Sequence, residues 1–133
     1  MNTITLELHV PDFEKVKEYY LKLGFKVVKD ERMPDGDGYL VLAMNDHMLC
    51  FWSGSDLVYE QSYFKNFPKD TKRGYGVEII IPIDNIEEYY EKVKEFAHVV
   101  GELKPRHWGV KDFRVEDPYG YYLRFTEKYD HYT

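Results

Sequence analysis

The stretch WGVKDFRVEDPYGYYLRF, residues 108–125, decides the fold. A Trp-Gly pair opens it, VKDFRVE alternates apolar with polar side chains, and DPYG supplies the proline and glycine of a tight turn. YYLRFTE alternates again, so the stretch reads as two strands joined by a short turn. In the second strand Leu123 and Phe125 share one face, while Tyr122, Arg124 and Thr126 share the other. A guanidinium in mid-strand needs a carboxylate partner or a ligand on its face.

Upstream the pattern extends backwards. HVVGEL reads as a strand and KPRHWG as a turn, and Asp84 or Asn85 can cap a helix carrying Ile86, Tyr89, Tyr90, Val93 and Phe96. Residues 76–81 form a strand that Pro82 interrupts, which makes this half βαβββ. The first half repeats the order. TITLELHV, residues 3–10, alternates Ile4, Leu6, Leu8 and Val10 against Thr3, Thr5, Glu7 and His9. Pro11 stops the ladder, Asp12 is an N-cap, and Phe13, Val16, Tyr19 or Tyr20 and Leu23 follow at helical spacing to Gly24. FKVVKD, YLVLAM and HMLCFW complete three strands, separated by PDGDG and Asn45-Asp46. At an offset of roughly 73 residues Phe13 falls on Ile86, Val16 on Tyr89, Tyr20 on Val93 and Leu23 on Phe96, the signature of a duplicated unit.

The expected organisation is one α+β domain over residues 1–133. Module one covers about residues 1–53, a polar linker about 54–74 with a short helix near 57–64, and module two about 75–133. With 18 Lys and Arg interspersed among 24 Asp and Glu, a net charge of −6 and a pI near 5.4, the chain is a poor match for nucleic acid or an anionic membrane. A single cysteine, Cys50, excludes an intrachain disulfide and a thiolate metal cluster and fits a reducing cytoplasm. MNTITLELHV lacks a basic, then apolar leader pattern, and no apolar run approaches membrane length, so a soluble protein is expected.

Each module leaves one sheet face uncovered by its helix, and strand parity names the residues on it. If Ile4, Leu6, Leu8 and Val10 pack under the helix, Thr5, Glu7 and His9 face a cleft; if Val77, Ile79 and Ile81 pack, Glu78 and Ile80 do. Met48, Cys50 and Trp52 face inward opposite Leu49 and Phe51, as do Tyr122, Arg124 and Thr126. Thr5, Cys50, Glu78 and Arg124 then occupy equivalent inner positions of four strands.

HVPDFEKVKEYYLKLGF at the start, the ending quoted above and the paired βαβββ units resemble the vicinal oxygen chelate superfamily, which includes glyoxalase I, extradiol dioxygenases and bleomycin-resistance proteins. The Trp-Gly, Phe-Arg-Val and Asp-Pro-x-Gly elements are similar to the bleomycin-resistance branch in particular. That resemblance implies two modules with strand faces curved around a cleft, a homodimer with ligand sites at its interface, and sequestration of a drug-like molecule. Metal-dependent members place His or Glu at the four inner positions; here these are Thr5, Cys50, Glu78 and Arg124, of which only Glu78 suits a metal. The resemblance therefore implies a small-molecule binder with no metal and no cofactor. Its ligand-binding residues would be Arg124, Glu78, Trp108, Trp52, Tyr122, Glu7 and His9, and no catalytic residue is assigned.

Two readings of Arg124 stay open, a structural pair with Glu78 and a contact to an anionic or amide group of a ligand. Trp108 and Trp52 can stack on flat ligand groups, and Trp108 can instead plug the core. His9 and His47 have no second His at i+2 or i+4, His107 precedes Trp108 in a turn, and Cys50 reads as a buried apolar residue. The alternative function is a glyoxalase-like lyase, isomerase or dioxygenase that takes its metal ligands from Glu78, Glu7 and His9. A third is a protein-interaction module whose cleft is filled.

Overall fold

Pro11 cannot extend a strand ladder, and Asp12 behind it has an acceptor side chain, so the first helix begins where these two residues place it. In the computed structural model, which describes residues 4–67 and 69–129, Asp12 accepts a hydrogen bond from the Glu14 backbone N–H at 2.8 Å and caps α1, Phe13–Leu23. Gly24 ends the helix at φ 109°, a left-handed conformation that favours glycine. Phe13, Val16, Tyr20 and Leu23 are buried, the stripe expected from their spacing.

The chain divides into two compact units, Met1–Thr71 and Lys72–Thr133. The first holds β1 (Glu7–His9), α1, β2 (Lys26–Arg32), β3 (Gly38–Met44) and β4 (His47–Trp52), with strand order β1-β4-β3-β2. The second holds β5 (Ile79–Pro82), α2 (Ile86–Val93), β6 (His98–Pro105), β7 (Lys111–Glu116) and β8 (Tyr122–Thr126), in the order β5-β8-β7-β6. In each sheet the first and last strands pair in parallel and the remaining pairs are antiparallel. The α+β class and the two βαβββ modules expected from the sequence are therefore present.

Each core lies between a helix and one sheet face. In the first unit Leu8, Leu40, Leu42, Leu49 and Phe51 are buried, with the Tyr20 and Phe51 rings 5.2 Å apart. In the second, Ile79, Ile81, Phe113, Val115, Leu123 and Phe125 are buried, and Tyr90 meets Phe113 at 4.9 Å while Tyr89 meets Phe125 at 5.1 Å. Parity then assigns Asp112, Arg114, Glu116, Tyr122, Arg124 and Thr126 to the face away from α2.

Several expectations are corrected at element ends. The first strand spans three residues rather than eight; Ile4 is 98% exposed, and Thr3 lies outside the described residues. Glu7, Leu8 and His9 register on Cys50, Phe51 and Trp52, with further backbone bonds from Cys50 N–H to the Leu6 carbonyl and from Val10 N–H to the Trp52 carbonyl. Val77 does not pack but is 52% exposed, because Gly74 and Gly76 adopt positive φ and Val77 N–H turns back to the Gly74 carbonyl before the ladder begins. The helix near 57–64 is instead a short 3-10 helix, Asp56–Glu60, and its neighbourhood contributes Val58 and Phe64 to the first unit's core. Phe96 falls beyond α2, and Asn85 stands at its N-cap at φ 53° with no side-chain capping bond.

Candidate functional site

The uncovered face of the second unit is dominated by arginines. On neighbouring antiparallel strands Arg114 of β7 stands directly opposite Arg124 of β8, an arrangement that repels unless anions intervene. Two carboxylates do. Glu78, just before β5, accepts a hydrogen bond from Arg114 Nε at 2.6 Å through Oε1, and its Oε2 lies 3.6 Å from Arg124 Nη1. Asp112, fully buried, accepts from Arg106 Nε at 2.6 Å through Oδ1, which is also 3.5 Å from Arg114 Nη1; its Oδ2 lies 4.0 Å from Arg124 Nε. Burial disfavours the charge of Arg114, but the hydrogen bond and charge of Glu78 outweigh it and hold the guanidinium's pKa above its ordinary value.

Arg124 is the least satisfied member. Its side chain is 12% exposed, and its Nε and Asp112 Oδ2 are both buried without a hydrogen-bond partner. An unmade hydrogen bond at such a group costs about 1–3 kcal/mol. Its Cζ lies 5.8 Å from the ring centre of Trp108, which is 43% exposed. Trp108 is held at this rim by a turn in which Arg106 N–H donates to the Val110 carbonyl and Gly109 N–H donates to the Arg106 carbonyl.

Beside this cluster opens a cavity of about 440 Å³ whose lining includes Glu78, Tyr122, Glu116, Lys72, Tyr75 and Val77. The segment forming one wall rests on the Asp117–Gly120 turn. Asp117 Oδ1 accepts from the Tyr119 and Tyr121 N–H groups, and the Arg73 N–H donates to the Tyr119 carbonyl at 2.7 Å. Gly120, at φ 90°, leaves no room for a Cβ against Lys72 and the Arg73 backbone. The sequence element that reads as a hairpin turn thus also seats the wall of this cavity.

In the first unit the Tyr39 hydroxyl donates to Glu7 Oε1 at 2.7 Å, which with Cys50 and burial raises the phenol's pKa. Glu7, Tyr39, Trp52, Met33, Glu31 and Asp37 line a second cavity of about 390 Å³. His9 belongs elsewhere. Expected on the open face, it is 4% exposed, enclosed by the rings of Trp52, Tyr59 and Phe64 at 4.7, 5.8 and 5.0 Å, because the segment after β4 folds over it. Its Nε2 donates to the Ser53 carbonyl at 2.8 Å and is therefore not a lone pair for a metal. Cys50 is buried.

Of the residues expected from the sequence, Arg124, Glu78 and Trp108 form one cluster, with Tyr122 on the same face and in the adjoining cavity. Glu7 and Trp52 meet at the first unit's cavity. Arg106, Asp112 and Arg114 were missed. The polar phase of VKDFRVE carried the signal for Asp112 and Arg114, since they alternate with Phe113 and Val115; Arg106 sits outside any alternating run. Among the described residues, no group of three or more His, Cys, Asp and Glu side chains is arranged to hold a metal ion.

Two sheets in the order first-last-third-second, each backed by one helix, define a paired-βαβββ protein, and comparison with known proteins places the chain within that class. Residues 2–125 match the family model described as the glyoxalase/bleomycin resistance protein/dioxygenase superfamily, and the chain belongs to that superfamily. A bleomycin-binding protein solved in complex with bleomycin shares the fold at TM-score 0.63 and 21% identity, over 97% of this chain and 100% of that one. A bleomycin resistance determinant encoded on the transposon Tn5 aligns at TM-score 0.64 and 21% identity, over 96% and 98%. A glyoxalase family protein from Enterococcus faecalis aligns at TM-score 0.69 and 21% identity, over 95% and 97%. No curated protein matches the chain by sequence.

Proposed function

We propose that this chain binds a small organic molecule without a metal and without converting it, as part of a homodimer in the cytoplasm. The observation that carries this reading is Arg124. By the resemblance, its place in the last strand corresponds to one where the family's metal-dependent members need a His or Glu, and a guanidinium repels a cation while offering donors to an organic acceptor. Glu78, the one inner residue of metal-ligand type, is engaged by Arg114 and Arg124, and His9 Nε2 is engaged by Ser53. In this reading Arg124, Glu78, Trp108 and Tyr122 contact the ligand in one unit and Glu7 and Trp52 in the other, while His9 supports Trp52 from within the core. The bleomycin-binding protein of the same fold lends support by analogy of fold alone.

The test is thermal shift of the protein against bleomycin and a library of aromatic small molecules, with and without EDTA, followed by mass spectrometry of the recovered ligand. The expected result is saturable stabilisation that EDTA leaves unchanged, with the ligand returned intact. Conversion of the ligand, or stabilisation abolished by EDTA, would favour a metal-dependent lyase or dioxygenase instead.

A further inference from the structure

Arg124 differs from the two arginines around it in what its donors meet. Arg106 and Arg114 each donate from Nε to a carboxylate at 2.6 Å. The acceptors that face Arg124 lie at 3.6 and 4.0 Å, near enough to hold its charge but beyond hydrogen-bond reach. Three guanidinium groups share Glu78 and Asp112, and Glu116 on the same face is answered by Lys72 at 2.7 Å, which leaves one positive charge in excess among these groups. The whole chain is acidic at −6, but at physiological salt charges more than about 8 Å away are largely screened, so the local excess decides which ion is held. Outside this charged group, apolar side chains border Arg124. Trp108 stands 5.8 Å from its Cζ, and Ile80, its register partner on β5, is 40% exposed.

A planar donor fork bordered by an aromatic ring and a branched aliphatic chain fits an amphipathic acid. Resting on the ligand-binding reading above, we propose that this face takes a small aryl carboxylate, with its carboxylate on the Arg124 guanidinium and its ring against Trp108 and Ile80. The carboxylate supplies acceptors that Glu78 and Asp112 place too far away, and the ring covers apolar surface that Trp108 and Ile80 leave open.

The experiment uses matched pairs that differ only in head group: benzoate with benzylamine, indole-3-acetate with tryptamine, and 2-naphthoate with 2-naphthylmethylamine. Each is titrated into ¹⁵N-labelled protein while the arginine Nε–H and tryptophan indole N–H signals are followed. The signals of Arg124 and Trp108 are assigned by their loss in Arg124→Gln and Trp108→Ala. The expected result is a saturable shift of both signals by the carboxylates and not by the amines, with affinity lowered roughly ten- to a hundredfold in Arg124→Gln. Where Arg124→Gln fails to fold, Trp108→Ala, altered at an exposed turn residue, serves in its place and also weakens the carboxylates. Equal binding of amines, or unchanged carboxylate affinity in either folded variant, overturns the proposal. Failure of every carboxylate while another library compound binds overturns it and leaves the ligand-binding reading standing. Failure of every compound overturns both.

Discussion

A guanidinium on a sheet face is held by what surrounds it, and at Arg124 the surroundings were only partly visible in the sequence. The alternation of residues 122–126 placed Arg124 opposite Leu123 and Phe125, and the inner-position count paired it with Glu78. That Glu78 also serves Arg114, and that Asp112 lies buried between three arginines, depends on the antiparallel register of β7 on β8, which no local pattern encodes. His9 shows the opposite limit. Parity gave its side of the strand correctly, but the segment that closes over it comes from more than forty residues away in the chain. Removing one partner of a largely buried ion pair is strongly destabilising because the other charge is stranded. Glu78→Gln, which strands Arg114 and Arg124 together, is expected to lower unfolding free energy by about 3 kcal/mol in urea denaturation. A change under 1 kcal/mol would mean that Glu78 contributes little to holding the two guanidinium groups.

At the scale of elements, the two helices occupy equivalent places in the repeat and begin differently. Asp12 caps α1 through its side chain, whereas Asn85 at the start of α2 adopts φ 53° and makes no side-chain capping bond. Asp12→Ala should therefore destabilise by about 1 kcal/mol, the usual worth of a cap. Asn85→Gly should be neutral or stabilising by about 0.5 kcal/mol, because glycine adopts positive φ without strain. Chemical denaturation of both variants checks the contrast, and equal losses would contradict it. α1 is also tied to β2 by charge: Asp30 pairs with Arg32 at 2.6 Å and Lys17 at 2.9 Å, and Glu14 pairs with both cations at 3.1 Å. Arg32 first, then Lys17, hold the Asp30 carboxyl below its ordinary pKa. A depressed carboxylate stabilises above its unfolded pKa and loses that contribution as pH falls through its folded value. Asp30→Asn should accordingly cost about 0.5–1 kcal/mol at neutral pH, modest because the pair is partly exposed, and should match the parent protein once the pH is low enough to protonate Asp30 in both the folded and unfolded states. A gap that persists in strong acid would rule out an ionic origin.

For the molecule as a whole, the duplicated βαβββ order was legible because its strands carry alternations or apolar runs and most breaks fall at proline, glycine or a turn pair. The segment after β4 was harder to read, because its polar composition conceals Val58 and Phe64, which pack into the first unit. Superfamily membership fixes the architecture and not the chemistry, since one fold carries unrelated functions. The choice between binding and metal-dependent catalysis therefore rests on side chains: the Arg124 guanidinium, the buried Cys50 thiol and the Glu78 carboxylate engaged by two arginines. The most direct measurement is the metal content of protein purified without chelators, by inductively coupled plasma mass spectrometry, for the parent chain and for Glu78→Gln. The account predicts no stoichiometric nickel, zinc, manganese or iron in either. A stoichiometric ion in the parent that is lost on changing Glu78→Gln would contradict it.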